Sequence, residues 1–384
     1  MLLIRNGYVK PMVGEDIPNG CVLINDDGKI AFVGEEVEPS ADMTVIDAGG
    51  RLVTPGCVEA HCHIGVRTSA MGWEGVDHNE KTDPITPHLR AIDAINPLDD
   101  TFSKALMCGV TSACTGPGSA NVVGGSFAAI KLYGKRVDKM IIKAPVAMKC
   151  AFGENPKNFH GQASKKAPLT RMATAAMLRE LLFKSRNYLA AKESGKEPAF
   201  DMKLEAMIPV MKREIPLKAH AHRADDIFTA IRIAEEFGVD LTLDHCTEGG
   251  LIAEELAEAG YPALVGPSMG TPSKIELKNK SFGTPAALHN AGVPISIITD
   301  APVTSIERLP MCAGFAVSEG LPYEEGWRAI TINPATQTGI GDRVGSLEVG
   351  KDGDLVIWQD DPLRVIGAEA YVTVVDGKVV YSEN

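Results

Sequence analysis

PGCVEAHCH, residues 55–63, is the stretch on which the fold turns. An apolar run of strand character ends in two histidines separated by one residue. Strand residues alternate faces, so His61 and His63 point one way and Cys62 the other. Two imidazoles on one face of a strand end make half of a metal site. The pattern recurs down the chain: Lys149 follows PVAM, His220 follows PLKA, His245 follows LTLD, and Asp300 follows ISIIT. Each sits where an apolar run should be buried. A polar side chain there is costly without a partner, and a metal ion is an effective one.

Working outward, eight apolar stretches read as strands: 58–60, 110–114, 127–132, 145–149, 217–220, 241–245, 263–267 and 295–300. Helical spacing lies between them, most clearly in Ile227, Ala230, Ile231, Ala234 and Phe237, with Asp225 and Asp226 in the first turn and Gly238 at the end. Residues 170–192, 248–259 and 324–332 also fit helices. This alternation predicts a parallel α/β architecture, a (β/α)8 TIM barrel over residues 55–344 whose chemistry gathers at the C-terminal strand ends. The two chain ends differ. Residues 1–54 and 345–384 are β-rich, with hairpin-type turns at residues 25–28 (NDDG) and 376–377 (DG), and predict one small β-sandwich domain built from both termini.

Composition narrows the function classes. With 45% hydrophobic and 23% charged residues among 384, the chain is not disordered. A formal charge of −12 argues against a nucleic-acid binder, which needs a basic surface. No run of 18 apolar residues and no charged-then-apolar leader is present, so neither a membrane partner nor secretion is expected. The eight cysteines form no CxxC pair and read as reduced structural thiols of a cytoplasmic protein. The glycine-rich GPGSANVVGG (116–125) does not fit a dinucleotide-binding GxGxxG turn.

Lys149 cannot ligate a metal as an ammonium. Burial and nearby cations favour its free amine, which reacts with CO2 to give a carbamate, an anionic bridging ligand. Glu154, in the next loop, is the alternative bridge. Asp300 reads as a ligand and as general base for an attacking water, or else as a helix N-cap. His222 lies two residues beyond His220 and competes with it as a ligand. We assign His220, nearest the strand, to the metal and His222 to the substrate rim. Residues 65–97 form a connection of 33 residues, far longer than the usual 2–6, and are expected to cover the site. Arg67 and His78 from that loop, with His222 and Arg223 beyond the fifth strand, make a cationic cluster suited to a substrate carboxylate. Against this, Arg67 and Arg223 could instead pair with Glu74 and Asp225.

In this order HCH, MKCAFG, KAHAH, LDH and ITD resemble the amidohydrolase superfamily, and VIDAGGRLVTPGCVEAHCH and NPATQTGIGDRVGSLEVGKDGDLVIW resemble its junctions between barrel and small β domain. The likeness covers nearly the whole chain. It is closest to the imidazolonepropionase-like and dipeptidase-like branch, and MKCA is similar to the carboxylated-lysine strand of isoaspartyl dipeptidases. The resemblance implies two divalent ions, zinc first and iron, manganese or cobalt otherwise. His61 and His63 would hold one, His220 and His245 the other, with carboxylated Lys149 between them and Asp300 as ligand and acid/base. It implies hydrolysis of a C–N bond in an amide, cyclic amide or small peptide. A mononuclear deaminase using His61, His63, His220 and Asp300 is the alternative, and a non-catalytic scaffold of the same fold a weaker one. A small-molecule substrate and a homo-oligomer are expected. The loop 65–97 matches nothing that names a substrate.

Overall fold

The computed structural model describes residues 1–383. The chain opens with five strands, β1 (Leu2–Val9), β2 (Ile17–Ile24), β3 (Ile30–Gly34), β4 (Thr44–Asp47) and β5 (Leu52–Pro55). Eight more follow: β6 (Cys57–Cys62), β7 (Val110–Thr115), β8 (Val123–Lys131), β9 (Ile141–Ala151), β10 (Leu217–Ala221), β11 (Leu241–His245), β12 (Ala263–Val265) and β13 (Ile295–Ile297). The last three are β14 (Leu355–Trp358), β15 (Ala370–Val375) and β16 (Lys378–Ser382). All eight expected middle strands are present, and they lie side by side in chain order from β6 to β13 as a nearly closed barrel.

One strand departs from the expected parallel run: β8 is antiparallel to both β7 and β9. The reason is connection length. Residues 116–122 and 132–140 are too few for the crossover of a dozen or more residues that a parallel neighbour requires. Reversal is the only way to keep β8 in the sheet. The seam between β13 and β6 is closed by single contacts rather than a ladder. Glu59, fully buried on β6, accepts from Thr299 N at 2.9 Å through one carboxylate oxygen and from His61 N at 2.9 Å through the other. His63 N donates to Ala301 O at 2.7 Å across the same seam.

Strands from both chain ends form one sheet, ordered β16-β15-β14-β5-β1-β2-β3, with β4 paired to β1. It closes on its own core of Ile4, Val22, Ile24, Val53, Leu355, Ile357 and Val374. Lys131 of β8 ties the sheet to the barrel through ion pairs to Asp352 at 2.8 Å and Asp354 at 2.6 Å.

The helices follow the sequence reading where periodicity is strong. Ala224–Phe237 buries Ile227, Ala230, Ile231, Ala234 and Phe237 and ends at Gly238 in the left-handed region. Arg171–Glu193 is capped by Thr170. Elsewhere it breaks. The 324–332 expectation resolves into Tyr323–Arg328 and Ile332–Gln337, and Met202–Met211, with Pro209 inside it, is a helix the sequence reading did not name. All eight cysteines are free, seven of them buried. Among the described residues no helix is long and apolar enough to cross a membrane.

Candidate active site

The barrel mouth gathers the strand-end residues into one buried cluster. His61 on β6 presents Nε2 3.5 Å from Asp300 Oδ1, and His63, one residue past the strand, presents Nε2 3.1 Å from the same oxygen. On β9, Lys149 is fully buried with Nζ 3.3 Å from His61 Nε2. The rings of His220 and His245 lie 4.4 Å apart, and those of His61 and His245 5.0 Å apart. Ligating atoms of His61, His245 and Asp300 lie within 4.8 Å of one another, as do those of His220, His222 and His245.

Each histidine is held from behind through Nδ1. His61 Nδ1 lies 2.6 Å from Asp244 Oδ2, His63 Nδ1 2.8 Å from Gly116 O, and His245 Nδ1 2.8 Å from Gly266 O. A carbonyl can only accept, so Nδ1 of His63 and His245 carries a proton and Nε2 is the atom turned toward the mouth; in neutral His245 that Nε2 keeps its lone pair. Both carbonyls come from glycines with no room for a side chain. A Cβ on Gly116 would meet the Phe127 ring at 2.4 Å, and one on Gly266, at φ +143°, would meet Ile298 O at 2.1 Å. His220 Nδ1 pairs with Ser119 Oγ at 2.9 Å and His222 Nδ1 with Thr247 Oγ1 at 2.7 Å. Five imidazoles thus turn Nε2 inward.

Backbone conformation aims two of the groups. His245 (φ 75°) and Asp300 (φ 52°) sit in the left-handed region, which is costly for residues other than glycine and concentrates at functional sites. The turn swings His245 onto the interior face already occupied by its neighbour Asp244.

The electrostatics suit a cation. Burial holds His61, His220, His222 and His245 well below the ordinary imidazole range, so all four are neutral. Burial, reinforced by Lys218, draws Lys149 down to about 8 despite the opposing charges of Asp244 and Asp300. Burial works against ionisation of Asp300, but the His63 hydrogen bond and the Lys149 charge outweigh it and keep its pKa low. His245 Nε2 is buried with no hydrogen-bond partner. Neutral imidazoles, a carboxylate and an orphaned lone pair are the donor set that fits a divalent metal.

The other expected residues separate. His78 joins the site, its ring 5.5 Å from that of His63, with its pKa lowered to about 3 by burial and then by His63 and Arg67. Arg67 is exposed and, among the described residues, makes no ion pair; it lines a cavity of about 390 Å³ with Ala301 and Pro302, directly after Asp300. Arg223 does not join. Its guanidinium is engaged by Asp225, Nε to Oδ1 at 3.0 Å and Nη2 to Oδ2 at 2.9 Å. His222 is not at a rim but buried, stacked on His245 at 4.7 Å. Glu154 stays apart: its backbone N donates to Glu276, and its carboxylate has no hydrogen bond or ion pair among the described residues. The loop 65–97 is stitched to β8 rather than hanging free, through Thr86 N to Val123 O at 2.8 Å and Ser126 N to Leu89 O at 2.8 Å.

Three residues escaped the sequence reading. Lys218 donates to Asp244 Oδ1 at 3.3 Å, so the two form a buried support beneath His61. Alternation from His220 places Lys218 on the interior face, and that signal was legible. Glu276, from the loop after β12, brings Oε1 within 3.6 Å of His220 Nε2 and 3.7 Å of His222 Nε2. No periodicity marks a loop residue of this kind.

A barrel with this mouth carries the donor set of a metal-dependent hydrolase. Comparison with known proteins agrees. Residues 205–381 match the amidohydrolase family profile. The solved structure of an amidohydrolase from Thermotoga maritima MSB8 superposes with a TM-score of 0.95 at 41% identity over 100% of both chains. Imidazolonepropionase of Rhizobium rhizogenes is 27% identical over 92% of this chain and 90% of its own length. Amidohydrolase tasK of Hapsidospora irregularis is 29% identical over 99% of this chain, which spans 43% of that protein. The chain belongs to the amidohydrolase superfamily and is a hydrolase of C–N bonds.

Proposed function

We propose that the protein hydrolyses an amide, cyclic amide or small peptide, with His61, His63, Lys149, His220, His245 and Asp300 holding two divalent ions and Asp300 acting as general acid/base. Bound ions would supply Lewis-acid polarisation of the scissile carbonyl and a water acidic enough to attack near neutral pH. Asp300, ionised and beside His63, takes the proton of the attacking water and returns it to the leaving nitrogen. Asp244 keeps the His61 proton on Nδ1, and Lys218 holds Asp244 in that role. Lys149 has an appreciable free-amine fraction near neutrality. Its nitrogen can add to CO2 with loss of one proton, and the resulting carbamate would offer anionic oxygen ligands to bound ions. Arg67 and His78 are proposed to receive a substrate carboxylate, a role Arg223 cannot share while it is paired with Asp225. We take residues 55–344 as the hydrolase barrel and 1–54 with 345–384 as the supporting β domain.

The observation that carries this reading is the inward convergence of the His61, His63 and His245 imidazoles on Asp300. The test is metal analysis combined with a screen of N-acyl amino acids, dipeptides and cyclic amides on zinc- and manganese-replete protein. Hydrolysis of acidic members, with an Arg67→Ala variant losing them more than neutral amides, is expected. Ammonia release from exocyclic amines with one ion per chain would replace it with the deaminase reading.

A further inference from the structure

We propose that His222 and Glu276 are themselves metal ligands, completing with His220 and His245 a divalent-cation site on the β10–β11 side of the mouth. This rests on the reading above that the mouth holds metal. It changes which residues hold the second ion and removes His222 from the substrate rim.

The geometry brings three imidazoles together, with one buried carboxylate reaching two of them. The ring nitrogens of His220, His222 and His245 lie within 4.8 Å of one another. All three rings have Nδ1 engaged on the far side, by Ser119 Oγ, Thr247 Oγ1 and Gly266 O. Such outer contacts orient a ligating imidazole and fix which nitrogen faces the ion. Glu276 Oε1 stands 3.6 Å from His220 Nε2 and 3.7 Å from His222 Nε2. Those distances are too long for hydrogen bonds. They are close to the ~3.3 Å ligand–ligand edge of a tetrahedron whose metal bonds are about 2.0 Å.

Glu276 is built into this position. It is 1% exposed, with Lys274 Nζ 2.6 Å from Oε1 and Glu154 N donating to Oε2 at 3.1 Å. A buried carboxylate supported by one ammonium and one amide keeps its charge while facing two imidazoles. The remaining polar neighbour is Asn155, whose Nδ2 lies 3.4 Å from His220 Nε2 while its Oδ1 accepts from Lys274. An amide donor there uses the same Nε2 lone pair that a metal would take. The orphaned Nε2 of His245 supplies the independent pointer to a missing ligand. Three imidazoles with one carboxylate satisfy a zinc-like ion of intermediate softness.

The test uses the full-length protein stripped of metal and titrated with Zn²⁺ against a chromophoric chelator, with bound metal counted by plasma emission. Wild type should bind two ions. His222→Ala should keep the ion of His61, His63 and Asp300 and weaken the other by at least about 100-fold, beyond the ~10–100-fold expected for an outer contact. Glu276→Gln should weaken the same ion. Thr247→Val, which leaves the His222 ring in place but frees its Nδ1, should cost about 10–100-fold and covers the case in which His222→Ala misfolds. Cobalt-substituted protein should lose part of its four-coordinate visible absorption in both ligand variants. Two ions bound at wild-type affinity in His222→Ala and Glu276→Gln would overturn the proposal, with a raised KM alone returning His222 to the substrate. A single wild-type ion insensitive to both changes would overturn it while leaving a mononuclear hydrolase. Folded protein that binds no ion at all would remove the metal reading itself.

Discussion

Replacing Asp352 by asparagine should loosen the joint between barrel and terminal sheet. Asp352 is 1% exposed in its side chain and meets Lys29 at 2.5 Å, Lys131 at 2.8 Å and Arg343 Nη2 at 2.7 Å. Burial alone would raise its pKa. The hydrogen bonds and charges of Arg343, Lys131 and Lys29 outweigh that and bring it from the ordinary 3.8 to about 2. At ~1.4 kcal/mol per pH unit, the ionised form is favoured in the folded state by about 2.5 kcal/mol. Breaking a buried pair costs about 3–5 kcal/mol when the abandoned charge has no other partner. Lys131 still has Asp354 at 2.6 Å and Asp376 at 3.2 Å, which moves the expectation to the low end. Asp352→Asn should therefore lower unfolding free energy at pH 7 by about 2–3 kcal/mol. Urea titration followed by tryptophan emission suits the question, because Trp327 and Trp358 are fully buried with rings 5.8 Å apart. The sign with pH follows from a depressed pKa. The contribution is full above 3.8 and drains away as pH falls toward 2, so the gap between wild type and variant should narrow over that interval and nowhere above it. A variant within about 0.5 kcal/mol of wild type at pH 7, or a gap that stays constant through the acid range, would refute the reasoning.

Other expectations follow from the mouth. Asp300→Asn should lower kcat by about 10²–10⁴-fold with KM little changed, as measured by steady-state kinetics, because the proton acceptor is removed and the shape retained. Asp244→Asn should weaken the ion at His61 by about 10–100-fold in chelator competition, since the carboxylate that holds the His61 tautomer is gone. Lys149→Ala should abolish the carbamate resonance that labelled bicarbonate introduces in wild-type protein and slow turnover, with small carboxylates partly restoring it. A retained carbamate signal would place the modification elsewhere.

How much of this was legible in the sequence depended on whether backbone order alone decides the side chain's surroundings. A strand core must be apolar, so a histidine, lysine or aspartate closing such a run announces itself. That is why residues 61, 63, 149, 220, 245 and 300 could be picked out unaided, and why the eight strands were found. Alternation from His220 also puts Lys218 on the interior face, although nothing local says that it supports His61 through Asp244. Tertiary structure decided the rest. His245 breaks the alternation, because a left-handed backbone turns it inward beside Asp244. The direction of β8 depends on how few residues join it to its neighbours, and of the two roles the sequence left open for Arg223 the structure shows the local pair with Asp225. His222 looks like a rim residue by distance from the strand, yet the loops after β11 and β12 bury it. Glu276 reaches the histidines from a loop with no period to betray it. A strand's burial is written in its own composition, whereas a loop residue's partners are set by distant segments that only the closed barrel brings within reach.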